Sequence, residues 1–181
     1  VWASVDIEIT EQTCETLHSF SIESAGDLTL DDAYYYADVD PCCIHPIELA
    51  LAITTFKKEQ YVLNNLNLIK EGVLSGKPIS EHFHVHVVDN GRSLDCNSGS
   101  DLISIHPNPN VGGSGGFARG MIEALEQNPK ATHVLLMDDD VEVLPESFIR
   151  TFNLLSLLKE EYVDAFLSGA MMSLEEPNLR T

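Results

Sequence analysis

Three consecutive carboxylates, Asp138, Asp139 and Asp140, follow an apolar run that has the character of a buried strand. Like charges at the end of a strand repel each other and lose solvation near a core, so such a cluster usually requires a cation. Oxygen ligands of this kind suit Mg²⁺ or Mn²⁺, and substrate phosphates commonly complete the shell. Because strand side chains alternate, Asp138 and Asp140 would share one face if the chain stays extended. For the triplet alone, an acidic turn would be the simpler interpretation.

A glycine-rich segment at residues 110–120 lies upstream, between a predicted strand and a predicted helix. Glycines allow close backbone approach, and exposed amides at a helix N-terminus favour anions, which suits the diphosphate of a nucleotide sugar. The alternative is a tight turn with close helix packing. A dinucleotide fingerprint belongs after the first strand of its unit, whereas this segment follows the third. A P-loop is excluded because the sequence has no Gly-Lys-Ser/Thr.

The chain has 181 residues, 44% hydrophobic and 22% charged, which is ordinary for a soluble globular protein. Its net charge is −19, and Lys57 is its first basic residue. This acidity opposes direct binding to nucleic acid or to anionic membranes, so a phosphate ligand would need a metal or backbone amides. No signal peptide or bilayer-spanning run is visible, and the four cysteines match no zinc pattern. The absence of an initiator Met suggests a fragment.

Two segments of different character follow one another. Residues 1–46 resemble a partial β-rich module, with alternating strands expected at 4–9 and 17–22. In residues 47–181, strands alternate with helices. We expect strands ending near residue 55 and at 83–88, 102–106, 133–137 and 164–172, and helices at 60–72, at 114–127 and from Pro145 onward.

This alternation predicts an α/β fold with a mostly parallel sheet covered by helices on both faces. In such sheets ligands bind beyond the carboxyl ends of the strands. Several chemistry-bearing residues fall at those ends, namely Phe56, Asp89, Asn110 and Asp138. Their shared location is the central structural expectation.

Four motifs follow one another along the α/β segment. They are Thr54-Thr55-Phe56-Lys57-Lys58, Val88-Asp89-Asn90-Gly91, the glycine-rich segment 110–120 and Leu136-Met137-Asp138-Asp139-Asp140-Val141. In this order they resemble glycosyltransferase family 2. The glycine-rich version with Phe117 and Arg119, followed by Asp-Asp-Asp-Val and Pro-Glu-Ser, is most similar to the galactofuranosyltransferase branch. One motif alone would be weak, but four in register are specific, and the similarity covers residues 49–172.

The resemblance implies a GT-A nucleotide-sugar domain with a Rossmann-like sheet, UDP-galactofuranose as donor and Mn²⁺ or Mg²⁺ as cofactor. It implies that Asp138 and Asp140 hold the metal and that Asp139 meets the donor ribose or solvent. It places further residues in the donor site: Thr54 and Phe56 beside uracil and ribose, Asp89 on the base, Lys58 near the diphosphate or base, and Asn110, Gly112 and Gly113 along the pocket. Arg119 would follow on the helix, where a surface or packing role is an equal alternative.

The implied reaction is inverting transfer of galactofuranose to a growing cell-surface glycan or glycolipid. Negative charge builds on the departing nucleoside diphosphate, and a metal between carboxylates and phosphates neutralises it. The acceptor hydroxyl needs a general base, which in this family is a downstream Asp. We expect that base beyond Thr181, so the chain should be a truncated fragment with little transfer activity of its own. The family works at the cytoplasmic face of the membrane, where the full-length enzyme would associate peripherally.

Two other functions remain open. A sugar nucleotidyltransferase, or another nucleotide-binding enzyme, would need a basic triphosphate-binding segment, and the early basic residues are only Lys57 and Lys58. A non-catalytic carbohydrate-binding module built on the β-rich segment would leave the acidic triplet unexplained. The alternation of His82, His84 and His86 suggests a metal site, but a strand in a two-faced sheet without a fourth ligand is the stronger interpretation.

Overall fold

The computed structural model describes residues 3–8, 10, 16, 18–31, 33–76 and 78–173. The chain divides into two compact units, Val1–Asp38 and Val39–Thr181. The domain limits expected from the sequence, 1–46 and 47–181, and the truncation of the second domain stay predictions.

The first unit has no helix or strand among its described residues. The strands expected at 4–9 and 17–22 are therefore not found there, and Ile9 and Leu17 lie outside the described residues. Phe20 and Tyr35 meet edge to face with ring centroids 5.8 Å apart, and the Tyr35 hydroxyl donates to the His18 carbonyl over 3.0 Å. Alternation in this segment did not produce a sheet, because a strand also needs partners to pair with.

The second unit is built on a four-stranded sheet. Its strands are β1 (Leu49–Thr55), β2 (Phe83–Asp89), β3 (Ile103–Pro107) and β4 (His133–Asp138). They lie in the order β3-β2-β1-β4 and every pair is parallel, which confirms the predicted α/β fold and its Rossmann-like parallel sheet. Every residue of β1 is buried, as a central strand covered on both faces should be.

Helices follow the strands in the described part of this unit. Helix α1 (Glu59–Ile69) continues into a π-helical turn at Lys70–Leu74, α2 spans Gly112–Glu126, and α3 spans Pro145–Ser156. Pro145 begins α3, where its missing N–H removes no helical hydrogen bond. None of the described helices is both long and apolar enough to cross a membrane.

One face of the sheet packs against α1 and α3 through large apolar side chains. Its core includes Leu49, Leu51, Ile53, Val62, Leu66, Ile69, Phe83, Val85, Val87, Ile103, Phe148 and Leu155. The rings of Phe83 on β2 and Phe148 on α3 have centroids 5.5 Å apart. Full burial of such a side chain stabilises a fold by about 1.5–3 kcal/mol, so this face is the main hydrophobic core of the described sheet.

Helix α2 packs closely on the other face. A Cβ atom added at Gly120 would lie 2.7 Å from the Ala52 Cβ, and one added at Gly116 would overlap the Thr54 hydroxyl. The absence of side chains at these two glycines lets the helix backbone approach β1. The N-terminal end of α2 is thereby held against the carboxyl end of β1.

The start of α2 differs from the sequence expectation. The helix begins at Gly112 rather than Ser114, so glycines expected in a loop form its first turn. Glycine is a poor helix former, but further along the helix Gly116 and Gly120 pack so closely on β1 that the smallest residue is favoured, and this packing offsets the low propensity of the segment. The segment therefore combines two features: an exposed helix N-terminus at its start, and the close helix packing of the alternative interpretation further along.

The fifth strand expected at 164–172 is wrong. Residues 165–171 form neither helix nor strand, and Met172 is only a single bridge residue. Phe166 is fully exposed. The apolar run was misread because strand formation depends on pairing and burial, which composition alone does not supply.

Candidate functional site

The carboxyl ends of β1 and β4 meet where the strand order reverses. The chain leaves β1 for β2 and β3 on one side and then crosses to β4 on the other. In open parallel sheets, ligands bind in the crevice at such a point. In the ladder, Thr54 is the partner of Asp138 and Thr55 is the partner of Asp89. The register therefore brings three of the predicted site residues, Thr54, Asp89 and Asp138, to one edge.

The N-terminal end of α2 lies beside Thr54 at this edge. Gly112 has a φ of 77°, a left-handed conformation that glycine adopts readily. Its amide donates to the Asn110 Oδ1 over 3.2 Å, and the N-cap residue Val111 makes no side-chain capping bond. Gly112 and Gly113 are exposed. Because first-turn amides lack intrahelical acceptors and carry the positive end of the helix dipole, this turn can bind an anion.

Asn90 joins the elements at this edge. Its side chain is almost buried, and its Nδ2 donates to the Thr54 hydroxyl over 3.3 Å and to the Gly112 carbonyl over 3.2 Å. Its Oδ1 accepts from the Asn108 Nδ2 over 2.8 Å. Sequence analysis did not single out Asn90, although an amide side chain directly after a buried strand could have indicated it.

Asp89 shapes the loop after β2. Its carboxylate accepts hydrogen bonds from the amides of Gly91 at 2.9 Å, Ser93 at 2.6 Å and Leu94 at 2.7 Å. The residue has no exposed surface. The contact with uracil that the resemblance implied is therefore not open to Asp89 in this conformation, because the loop amides already surround its oxygens.

The acidic triplet is divided by the end of β4. The strand stops at Asp138, while Asp139 and Asp140 form a turn, so the expected extended geometry is not found. Ladder partners in a parallel pair point to the same side, so Asp138 points with Thr54 toward the face of α2. Asp139 and Asp140 instead meet Lys58, whose Nζ lies 3.7 Å and 2.5 Å from their carboxylate oxygens.

The ion pair between Lys58 and Asp140 changes the acidity of both groups. Their hydrogen bond raises the pKa of the Lys58 ammonium and lowers the pKa of the Asp140 carboxyl. The two side chains are 42% and 50% exposed. Because water screens an ion pair this exposed, a divalent cation can compete with Lys58 for Asp140.

Asn65, on α1, holds the backbone of the acidic turn. Its Nδ2 donates to the Val141 carbonyl over 2.7 Å and is 3.4 Å from the Asp139 carbonyl oxygen. Sequence analysis missed this residue. The signal that could have identified it is its position: Asn65 falls between Val62 and Ile69 on the buried stripe of α1.

The chemistry of the acidic turn fits a divalent cation better than its geometry does. Carboxylate oxygens suit Mg²⁺ and Mn²⁺, and phosphate and water can complete the shell. Among the described residues, no three His, Cys, Asp or Glu side chains are arranged to hold a metal. Asp140 could join Asp138 in holding a cation only if Lys58 left the Asp140 carboxylate.

Two other predicted site residues make their contacts outside the acidic triplet. Phe56 follows β1 with 46% of its surface exposed, and the Lys57 Nζ lies 5.3 Å from the centre of its ring. Arg119 forms an ion pair with Glu123 one turn further along α2. This contact agrees with the surface alternative for Arg119, whose role in binding the donor stays a prediction.

A second polar cluster lies on the α2 face of β2 and β3. The His86 Nδ1 lies 3.1 Å from the His106 Nε2, and the His86 Nε2 lies 2.8 Å from the Gln127 Oε1. The rings of His84 and His86 stack with centroids 4.6 Å apart, and the His84 Nε2 lies 3.0 Å from the Ser104 Oγ. The contact with Gln127, the C-cap residue of α2, ties the C-terminal end of this helix to the sheet.

Burial favours the neutral form of these imidazoles. It lowers the pKa of His84 to about 4, with the nearby His86 and His106 adding to the effect. Burial also lowers the pKa values of His86 and His106, although Glu123 partly opposes this. Glu123 lies 3.5 Å from the His106 Nδ1 and is itself paired with Arg119. Protonation of the cluster would therefore place repelling charges beneath α2.

Known proteins share sequence with this chain. No family model matches it. Galactofuranosyltransferase GlfT2 of Mycolicibacterium smegmatis is 32% identical over 139 residues, which cover 72% of this chain and 20% of that protein. Galactofuranosyltransferase GlfT2 of Mycobacterium tuberculosis is 40% identical over 76 residues, which cover 42% of this chain and 11% of that protein. The chain thus spans 20% or less of the length of these curated relatives, and what it resembles is part of a glycosyltransferase.

Proposed function

We propose that the chain forms the donor-binding part of a metal-dependent, inverting glycosyltransferase. It would move galactofuranose from UDP-galactofuranose to a growing glycan or glycolipid, in a domain of the GT-A type. The observation that carries the proposal is the convergence on Thr54, which adjoins both Asp138 and the N-terminal end of α2. The similarity to two proteins named galactofuranosyltransferase supports the choice of reaction.

The first-turn amides of α2 would bind the donor diphosphate. Their partial positive charge suits linked phosphates in a chain whose net charge is −19. Asn110, Gly112 and Gly113 would line this end of the pocket. Asn90 fixes the turn by bonding the Gly112 carbonyl and the Thr54 hydroxyl, so the amides are held in place before a ligand arrives.

Thr54 and Phe56 would lie beside the nucleoside. The Phe56 ring is 46% exposed and offers an apolar face against which uracil can stack. Asp89 enters this proposal as the residue that holds the loop after β2, rather than as a contact to the base, because its carboxylate is buried beneath three amides.

Asp138 and Asp140 would hold the cation, and Asp139 would face the ribose or solvent. The cation supplies positive charge opposite the departing diphosphate. Lys58, once separated from Asp140, would become available to a phosphate as a point charge. The acceptor, the catalytic base and a location at the cytoplasmic face of the membrane remain predictions from the family resemblance.

Calorimetry tests the proposal. UDP and UDP-galactofuranose are titrated into the chain with and without Mn²⁺, and the titrations are repeated with Asp138→Ala and Asp140→Ala. We expect Mn²⁺ to strengthen binding and each substitution to weaken the Mn²⁺-dependent affinity by about tenfold or more. Glu142→Ala removes an exposed carboxylate from the same loop and should have no such effect. The proposal would be overturned if the affinity for UDP did not change with Mn²⁺ or with either Asp substitution. It would also be overturned if UDP did not bind at all.

A further inference from the structure

Helix α1 carries one polar side chain in the middle of its buried stripe. Val62, Leu66 and Ile69 on this stripe are at most 1% exposed, and Asn65 among them is 3% exposed. A buried amide is unfavourable unless it is hydrogen-bonded, whereas an apolar residue would pack here without that requirement. The groups to which Asn65 forms hydrogen bonds should therefore indicate why a polar residue occupies this position.

These hydrogen bonds reach the backbone on both sides of Asp140. The Asn65 Nδ2 lies 2.7 Å from the Val141 carbonyl oxygen and 3.4 Å from the Asp139 carbonyl oxygen. The residues joined are 74 and 76 positions apart, so no local helix or turn rule produces this contact. The turn begins where β4 ends, so Asn65 supplies hydrogen bonds that the strand ladder does not.

Lys58 contacts the same turn in a different way. Its ammonium binds the carboxylates of Asp139 and Asp140, and the Asp140 carboxylate is one of the two that the proposed cation would need. The Asn65 Nδ2 instead contacts main-chain oxygens of the turn and does not compete with a cation for those carboxylates. Removing Lys58 would therefore still leave the turn attached to α1.

We propose that Asn65 is a positioning residue, which holds the main chain on both sides of Asp140 so that the Asp140 carboxylate can join Asp138 in binding the divalent cation that would face the donor diphosphate. This inference rests on the function proposed above, and it adds to that function a residue outside the four sequence motifs. Removal of a side chain that orients metal ligands typically weakens metal affinity by about 10–100-fold.

The test compares two substitutions that remove the donor while keeping the approximate size of the side chain. Asn65→Leu substitutes an apolar group, and Asn65→Asp substitutes an acceptor. Asn67→Leu is the matched control, since Asn67 lies on the exposed side of the same helix. Circular dichroism measures folding, electron paramagnetic resonance measures Mn²⁺ affinity, and calorimetry measures UDP affinity with and without Mn²⁺.

We expect both Asn65 variants to lose about tenfold or more in Mn²⁺ affinity and in the Mn²⁺-dependent part of UDP affinity. Metal-free UDP affinity and the Asn67→Leu control should not change. A merely structural role would instead lower metal-free and metal-dependent UDP binding together, or unfold both variants, and either result would overturn the inference.

The remaining outcomes separate this inference from the proposed function. If the native chain binds UDP with Mn²⁺ and the Asn65 variants match it, only the inference fails. If the native chain binds Mn²⁺ but not UDP, the proposed function fails, and the Mn²⁺ affinities of the variants alone decide the role of Asn65. If the native chain binds neither, both are overturned.

Discussion

The two faces of the sheet pack against their helices through different kinds of contact: large apolar side chains on one face and close backbone approach on the other. Alternate residues of β1 make the contrast plain: Leu49, Leu51 and Ile53 face α1 and α3, whereas Ala50, Ala52 and Thr54 face α2. The first face is filled by large apolar side chains. On the second face, the backbone of α2 packs directly against β1. This face becomes polar at the histidine cluster of β2 and β3.

The apolar face mainly stabilises the fold, whereas the α2 face carries most of the groups that could bind a ligand. The apolar face buries surface and fixes the strands, while the α2 face brings a helix N-terminus and Asp138 to the same side of the sheet. Asn65 is the exception, because it lies within the apolar face and yet reaches the acidic turn. The site therefore depends on both faces, but through few residues of the first.

The largest expected effect comes from opening the apolar face. Phe83→Ala removes a ring that is 1% exposed and packs against Phe148, so we expect a loss of about 3–5 kcal/mol in the free energy of unfolding. Urea unfolding followed by circular dichroism measures this loss. Leu154→Ala, at a 49% exposed position of α3, should cost less than about 1 kcal/mol. Equal losses in the two variants would contradict the assignment of the core to this face.

A smaller effect comes from widening the α2 face. A Cβ at Gly116 would overlap the Thr54 hydroxyl, so Gly116→Ala should force α2 away from β1 and cost about 1–3 kcal/mol. Gly113→Ala is the matched control, because open space surrounds that position, and it should be neutral or stabilising by up to about 1 kcal/mol. Thermal unfolding compares the two. A stable Gly116→Ala variant would show that the close approach is not required.

The third effect is a loss of stability in mild acid, caused by the histidine cluster. Burial lowers the pKa of His84 to about 4 in the folded chain, while the unfolded residue titrates near about 6.5. The unfolded chain therefore takes up more protons as pH falls through this window, and stability is lost. Allowing for partial solvent contact, we expect a loss of roughly 1–2 kcal/mol between about pH 7 and about pH 5.

Substitution of the cluster should flatten this pH dependence. His84→Gln removes the titrating ring, so the fall in unfolding free energy between neutral and mildly acidic pH should become smaller. His18→Gln, at an exposed position of the first unit, is the control for the loss of one imidazole. An identical slope in all three proteins would show that protonation of His84 does not cause the loss of stability in acid.

The smallest expected effect concerns the exposed ion pair at the acidic turn. Lys58→Met frees the carboxylates of Asp139 and Asp140, so Mn²⁺ affinity in the absence of nucleotide should rise by roughly 2–5-fold. Lys57→Met is the matched control, because Lys57 lies over Phe56 instead. Electron paramagnetic resonance of bound Mn²⁺ measures both. Weaker Mn²⁺ binding in Lys58→Met would contradict competition between the ammonium and the cation.

Sequence periodicity predicted most strands and helices of the second unit correctly, but it failed at His82 and at residues 164–172. Strands β2, β3 and β4 and helix α1 lie within a few residues of their expected positions, because apolar alternation directly reflects which side chains are buried. His84 and His86 share a face as expected, but His82 precedes β2 in a 3₁₀ turn and contacts Glu48. The run at 164–172 had a suitable composition, but among the described residues it forms only a single bridge position, at Met172.

The candidate site was predicted by motif and corrected by contacts. The meeting of Thr54, Asp89 and Asp138 follows from strand ends alone, since carboxyl ends of parallel strands meet at one edge. The burial of Asp89 and the contact of Asn65 with Val141 could not be predicted, because they depend on how loops fold back over distant segments. Such tertiary contacts leave no periodic signal in the sequence.

The pairing of β1 with β4 has a consequence for how this edge tolerates change. Thr54 is opposite Asp138 and also lies under α2, so a slip of one residue would set Met137 opposite Thr54 and turn the carboxylate to the far side. Leu135 and Met137 oppose such a slip because they pack into the apolar core. Substitutions at these two core positions should therefore alter ligand recognition through the position of the Asp138 carboxylate.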